Sequence, residues 1–535
     1  MSNNLKSQRF VLPAVVVAAL TWCASCAELT PMDDPRVFRY NESASITSLD
    51  PAAARSLEHM WVVDQLYDGL VELTSGLDVA PCLAQAWTFD ESRNAYRFEL
   101  RQDAVFATGR PVSAQDVVYS LERLRDPSVV SSGGWILETV AEGGIVAVDS
   151  ATVEIRLKAP YPPFLGLLTT AYGSIIDAQV AQTEGHNLRN NPAGSGPFVL
   201  GWWVPDAGLV LHRNERHWER DSAGRQLPYL DAVHVDVVQD MGAEFLGLTQ
   251  GRYDFISGLH PAYMETLLNE EGELQADLEA ALKLQHVPFL KTDYLGVVLD
   301  GESTPVALRD ARVRRAMSLA LDREEMARHL RRNAVVPTDH FVPPSMLGKT
   351  SAHPPRHSAE KARALLAQAG YPEGQGIGEI VLSTTSDYVD MCATFQHAWQ
   401  TIGLDVQIDV VPAAAHRERV AQGEVAMFYK SWLADHADAE NFLGLFKRAN
   451  FSPGGPNYTH FHHPEFERDF EAALGLSNSP EVRMAMYARL DSLVHEEMPV
   501  IPLFHDRVTH ALSSRIEGWS IHPVNRLDLR RVVKR

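Results

Sequence analysis

Tyr96-Arg97-Phe98-Glu99-Leu100-Arg101 is followed, after Val105-Phe106, by Gly109-Arg110-Pro111-Val112-Ser113-Ala114-Gln115-Asp116-Val117-Val118. The first six residues alternate apolar and charged, the period of a strand with one buried face. Gly109 and Pro111 then punctuate a turn. Ser113 is placed to cap a helix, and Asp116 stands three residues on, at the reciprocal capping position. Val117, Leu121 and Leu124 share the face of the helix so begun. Strand, turn and helix thus succeed one another within one short stretch.

The same signals recur outward from it. Val153, Ile155 and Leu157 alternate with Glu154, Arg156 and Lys158, and Leu404, Val406, Ile408 and Val410 alternate with Asp405, Gln407 and Asp409. Ser358 precedes Ala362, Leu365, Leu366 and Ala369 at helical spacing, with Gly370 and Pro372 as the stop. Asp322 and Glu325 form a capping pair before Met326 and Leu330. Helices and strands intermix throughout, which predicts an α/β protein. Its 535 residues are enough for several cores. The formal net charge of −21 opposes binding to nucleic acid and to anionic membrane surfaces. Any membrane attachment then needs an explicit anchor.

The N-terminus supplies a candidate anchor. Lys6 and Arg9 precede the apolar run Phe10 to Leu20, broken by Pro13 and short for a membrane span. Cys23-Ala24-Ser25-Cys26-Ala27 follows, so residues 1–26 read as an export signal and residues 27–36 as a tether. The segment resembles a bacterial lipoprotein signal, which implies cleavage before Cys26 and acylation of its thiol. It departs from that pattern in having Cys23, not Leu, three residues before Cys26. Simple secretion is the alternative. Cys82 and Cys392 read as free buried thiols rather than a bridge.

Catalytic signatures are missing. No G-x-S-x-G elbow, H-E-x-x-H pair or phosphate-binding G-x-x-x-x-G-K-[ST] loop occurs. Gly374, Gly376 and Gly378 lack G-x-G-x-x-G spacing and read as a loop. His460, His462 and His463 have metal-ligating chemistry, but they sit in a polar loop that ends where Pro464 opens a helix. Trp432-Leu433-Ala434-Asp435 follows the apolar stretch Val425–Tyr429 and sets an indole and a carboxylate at a strand end, a setting suited to a ligand pocket.

Over about residues 37–505 the chain resembles the solute-binding proteins of ABC importers for oligopeptides, dipeptides and nickel complexes, family 5. Carrying that resemblance, besides the opening stretch, are Leu49-Asp50-Pro51, Leu66-Tyr67-Asp68-Gly69-Leu70, Pro81-Cys82-Leu83-Ala84-Gln85-Ala86-Trp87, Gly194-Ser195-Gly196-Pro197-Phe198 and Arg312-Val313-Arg314-Arg315-Ala316 with Leu321-Asp322-Arg323. Ala107 and Thr108 depart from the family's usual residues, at what reads as a surface turn.

The resemblance implies a two-lobed periplasmic binding protein fold with a hinge, type II and cluster C-like. The first lobe would comprise residues 37–70, 191–290 and 505–535, with an extra subdomain at 71–190; the second would be 291–504. Trp432 and Asp435 match the family's W-x-x-D, whose carboxylate receives the ligand's α-amino group, and Glu42, Ser43, Ala44 and Ser45 look like its strand beside the ligand. The implied function is capture of a peptide for an ABC permease of the inner membrane, by an extracytoplasmic monomer without cofactor. A nickel complex, sugar, opine or other amine as ligand, and an enzyme built on the binding fold, are the alternatives.

Overall fold

The computed structural model describes residues 34–183, 188–348, 356–476 and 479–535. The export segment and Cys26 lie outside the described residues. In chain order, the elements of the fold include β1 (Val37–Glu42), α1 (Leu57–Leu66), β2 (Ala84–Asp90), β3 (Ala95–Leu100), α2 (Ala114–Arg123), β4 (Val140–Ala147), β5 (Thr152–Leu157), β6 (Phe198–Val204), β7 (Gly208–Arg213), β8 (Ala232–Val237), α3 (Met241–Thr249), β9 (Phe255–Ser257), β10 (Leu282–Val297), α4 (Arg323–Arg331), β11 (Val335–Pro337), β12 (Ile380–Thr384), β13 (Val406–Val410), β14 (Met427–Leu433), α5 (Pro464–Leu474), α6 (Pro480–Glu497) and β15 (Val500–Ser513).

The alternating stretches form strands with the expected faces. Tyr96, Phe98 and Leu100 of β3 and Val153, Ile155 and Leu157 of β5 are buried, in a four-stranded sheet ordered β2-β3-β5-β4. α2 packs Val117 and Leu121 onto the same core. Its first turn is held by Asp116, whose carboxylate accepts from the Ser113 amide (3.0 Å) and hydroxyl (2.6 Å). The Leu404–Val410 pattern is only half realised. β13 is an edge strand, so Val406 is buried while Val410 is exposed.

The larger sheet runs β13-β12-β14-β10-β15-β9-β1-β8-β7-β6, with β11 joining β15. Its long central strands, β10 and β15, pair antiparallel in two stretches. Residues 282–288 face 507–513, residues 292–296 face 500–505, and the register shifts between Pro288 and Thr292. One hydrophobic core gathers residues from Phe38 to Phe255 with Leu512 to Val532. Two others lie wholly between Leu290 and Phe504. The chain therefore builds separate cores on either side of the register break.

Several positions that carry the family resemblance prove to be architectural. Gly194 and Gly196 pass against the C-terminal end of α1, where a Cβ would stand 2.1 Å from the Leu66 carbonyl oxygen or 2.5 Å from its carbon. Ser195 donates to Asp68 at 2.9 Å. Arg314, buried, donates to the carbonyls of Leu308 (2.6 Å), Glu497 (2.5 Å) and Met498 (2.7 Å), and so closes the C-terminus of α6. Arg323 donates to the Pro502 carbonyl at 2.8 Å. Burial lowers both guanidinium groups to about 10. Thr108 is more than a surface-turn residue: its hydroxyl donates to buried Asp177 at 2.9 Å.

Candidate functional site

β14 delivers Trp432 opposite Thr292 of β10. The chain then leaves the sheet, with the Ala434 amide held by the Leu290 carbonyl at 2.9 Å. Asn441 ties the resulting loop together. Its side-chain oxygen accepts from the Trp432 indole at 2.9 Å, and its amide donates to Asp435 Oδ2 at 3.4 Å.

Asp435 stands at the mouth of a cleft, exposed to water there. Protein crowds it from the other sides, and this burial raises its carboxyl above the ordinary aspartate range despite the Asn441 hydrogen bond. No Lys or Arg ion pair to Asp435 is found among the described residues. Asp438, three residues on, has Arg483 at 3.3 Å. Asp435 is thus a carboxylate presented without a cation.

The cleft has a volume of about 130 Å³ and is mainly apolar. One wall is α1, whose Leu57, Met60, Trp61 and Asp64 fall on one face at helical spacing. Trp135, Tyr172 and Val524 complete it opposite Leu433, Ala434 and Asp435. The Trp61 indole is fixed by the Asn525 carbonyl at 2.6 Å, and Trp135 meets Tyr172 edge-on at 6.3 Å. Burial, and then the charge of Asp435, raise the Tyr172 hydroxyl. Asp64 and Arg526 pair at 3.1 Å along the lining. Tyr161 reaches across to Glu440 at 3.1 Å, touching the loop that carries Asp435.

Glu42, Ser43, Ala44 and Ser45 do not line this cleft. Glu42 ends β1 in the sheet interior, 5 % exposed, with Oε1 unpartnered. Burial first, and then Glu58 and Glu244, raise its carboxyl well above the glutamate range. The wall facing Asp435 in this cleft is α1, whereas β1 pairs in register with β8 and its C-terminal end lies near Glu58 and Glu244; a place for residues 42–45 beside the ligand remains a proposal. The sequence reading also missed Trp135, Tyr172 and Val524, which come from distant segments; the one local signal was the apolar i, i+3, i+4 spacing of Leu57, Met60 and Trp61.

His460, His462 and His463 form no group with metal-ligand spacing. His460 is bound to Asp300 at 2.7 Å and stacks on Phe451, Phe461 enters a core, and His462 is exposed. Pro464 opens α5, as the sequence predicted. Cys82 and Cys392 are free and buried.

The family model for bacterial extracellular solute-binding proteins, family 5, matches residues 78–453. The glutathione-binding protein GsiB of Salmonella typhi is 26% identical over 486 residues, covering 90% of this chain and 91% of that protein. Heme-binding protein A of Haemophilus influenzae is 28% identical over 494 residues, 86% of this chain and 85% of its own. The periplasmic binding protein DppA of Helicobacter pylori, solved with the peptide STSA, superposes with a TM-score of 0.74 at 25% identity, covering 93% of this chain and 98% of that one.

Proposed function

The chain belongs to the bacterial extracellular solute-binding proteins of family 5, and from that membership we propose that it captures short peptides with a free N-terminus and passes them to an ABC permease. One observation carries the ligand class: Asp435, a carboxylate without a cation, at the mouth of an apolar cleft. A peptide ammonium leaving water needs such a partner. The adjoining walls of Leu57, Met60, Trp61, Trp135 and Tyr172 suit a bulky apolar first side chain. Glutathione- and peptide-binding relatives support the reading. No reaction is assigned to the protein; its work is capture.

The lobe boundaries read from the sequence remain our proposal, supported by the separate cores and by the break in β10–β15 pairing. We retain Cys26 as the lipidated residue and the monomer as the working state. Among the described residues, no helix is long and apolar enough to cross a membrane.

Calorimetry with a short peptide such as Leu-Leu-Ala and its N-acetylated form tests the assignment. Asp435→Asn and acetylation should each weaken binding by about 2–4 kcal/mol, since each strips one partner from a desolvated charge pair. Applied together they should cost little more than either alone. Equal affinity for free and acetylated peptides removes the role given to Asp435.

A further inference from the structure

Away from the peptide cleft, Asp339, His340 and His495 place one ligand atom each within 4.8 Å of the others. We propose that these three side chains bind a divalent transition-metal ion of the zinc type. None of the three lines the Asp435 cleft.

The local sequence builds the group from two elements. Asp339 and His340 follow β11, where the Thr338 amide is held by the Leu503 carbonyl at 3.1 Å. His495 lies in the last turn of α6. Between them stands Asp491, also on α6 and 2 % exposed. Its Oδ1 accepts from the amides of Phe341 (3.2 Å) and Val342 (3.0 Å), which leaves Oδ2 to meet His340 Nδ1 at 2.7 Å. A carboxylate fixed this way assigns the proton to Nδ1 and the lone pair to Nε2. His495 Nδ1 faces the Asp339 carbonyl at 2.8 Å; a carbonyl only accepts, so the same tautomer follows. Metal-ligating histidines are oriented by such partners.

Asp339 contributes the third donor. Its Oδ1 is buried and has no hydrogen-bond partner, a costly condition for a carboxylate that a cation relieves. The group opens on a pocket of about 1110 Å³, where water has room to complete a coordination shell. Two imidazoles and one carboxylate favour zinc-like ions over magnesium or calcium. The imidazole rings now stack in parallel, 4.6 Å apart, so ion capture tilts one of them. The bound ion would then join the 338–342 segment to α6.

The test uses full-length, untagged protein stripped with a chelator. Zinc alone is titrated calorimetrically, with magnesium as control, and Tm is followed with and without zinc. One zinc per chain at micromolar or tighter Kd, a zinc-dependent rise in Tm and no magnesium binding are expected. Asp339→Asn and His495→Ala should each weaken zinc binding at least tenfold, while His462→Ala leaves it unchanged. Peptide binding by each variant reports that the fold survives, and Asp339→Asn, isosteric, guards against misfolding of the His495 variant. Absence of stoichiometric zinc binding by the wild type, wild-type affinity in both variants, or loss in His462→Ala overturns the assignment.

Discussion

Asp435 and Glu42 are both carboxyl groups raised by burial, and they differ in what surrounds the oxygen atoms. Asp435 opens on a cleft and needs its charge for an ammonium. Because its carboxyl is raised above the usual range near 3.9, ionisation starts to fail at a higher pH than for an ordinary aspartate. Peptide affinity should therefore decline as pH is lowered from 7.5 towards 4.5, and should do so far less in Asp435→Asn; calorimetry across that range reads it. Glu42 is buried, and no Lys or Arg ion pair to it is found among the described residues. Its folded pKa lies above the unfolded value of about 4.3. The buried neutral acid thus contributes stability that is fully present below the unfolded pKa and is lost as pH rises through the folded one. Glu42→Gln should consequently be more stable than the wild type at pH 7.5, by about 1–2 kcal/mol, with the gap closing near pH 4. Urea melts at the two pH values decide it, and a variant less stable at pH 7.5 contradicts the account.

At the scale of elements, local signals were legible and long-range ones were not. The start of α2 could be read from Ser113 and Asp116 because a capping box is closed within one turn. Nothing near Asp116 announced Arg110's second partner, Asp177, at 2.8 Å, for it lies far along the chain. Asp116 anchors both the helix start and the Arg110 guanidinium. Asp116→Ala should cost about 2–3 kcal/mol, above the roughly 1 kcal/mol of a lost cap alone; Ser113→Ala should cost only about the latter. Chemical denaturation distinguishes them, and equal losses would reduce Asp116 to a cap. The same division explains the site. Trp432 and Asp435, the residues we propose for the ligand, stand three apart, a spacing that can be read along the chain. Leu57, Trp135, Tyr172 and Val524 meet only through the tertiary fold, and no spacing along the chain links them.

For the whole molecule, the question is where it bends. β10 and β15 cross from one set of cores to the other, and their pairing slips between Pro288 and Thr292. Lys291 stands in that slip and bonds Asp506 at 2.7 Å and Asp293 at 3.3 Å, while Arg331 lies 3.4 Å from Asp293 and 3.6 Å from Asp506. Two cations and two carboxylates balance there. Against the cost of burial, Lys291 and Arg331 hold Asp506 below the usual carboxylate range. A strand pair with continuous ladder bonds resists flexing, whereas this one has a break bridged by side-chain ion pairs. With the lobe boundaries we propose, the slip is the point about which the two lobes would close on a ligand. A compact chain of about 500 residues has a radius of gyration of ~23 Å. Small-angle scattering should show that radius shrink when saturating peptide is added, and stay unchanged for Asp435→Asn at the same concentration. Compaction of both proteins alike would place the closing force elsewhere than the ammonium–carboxylate contact. Binding without any compaction would mean that the cleft is already closed before the ligand arrives.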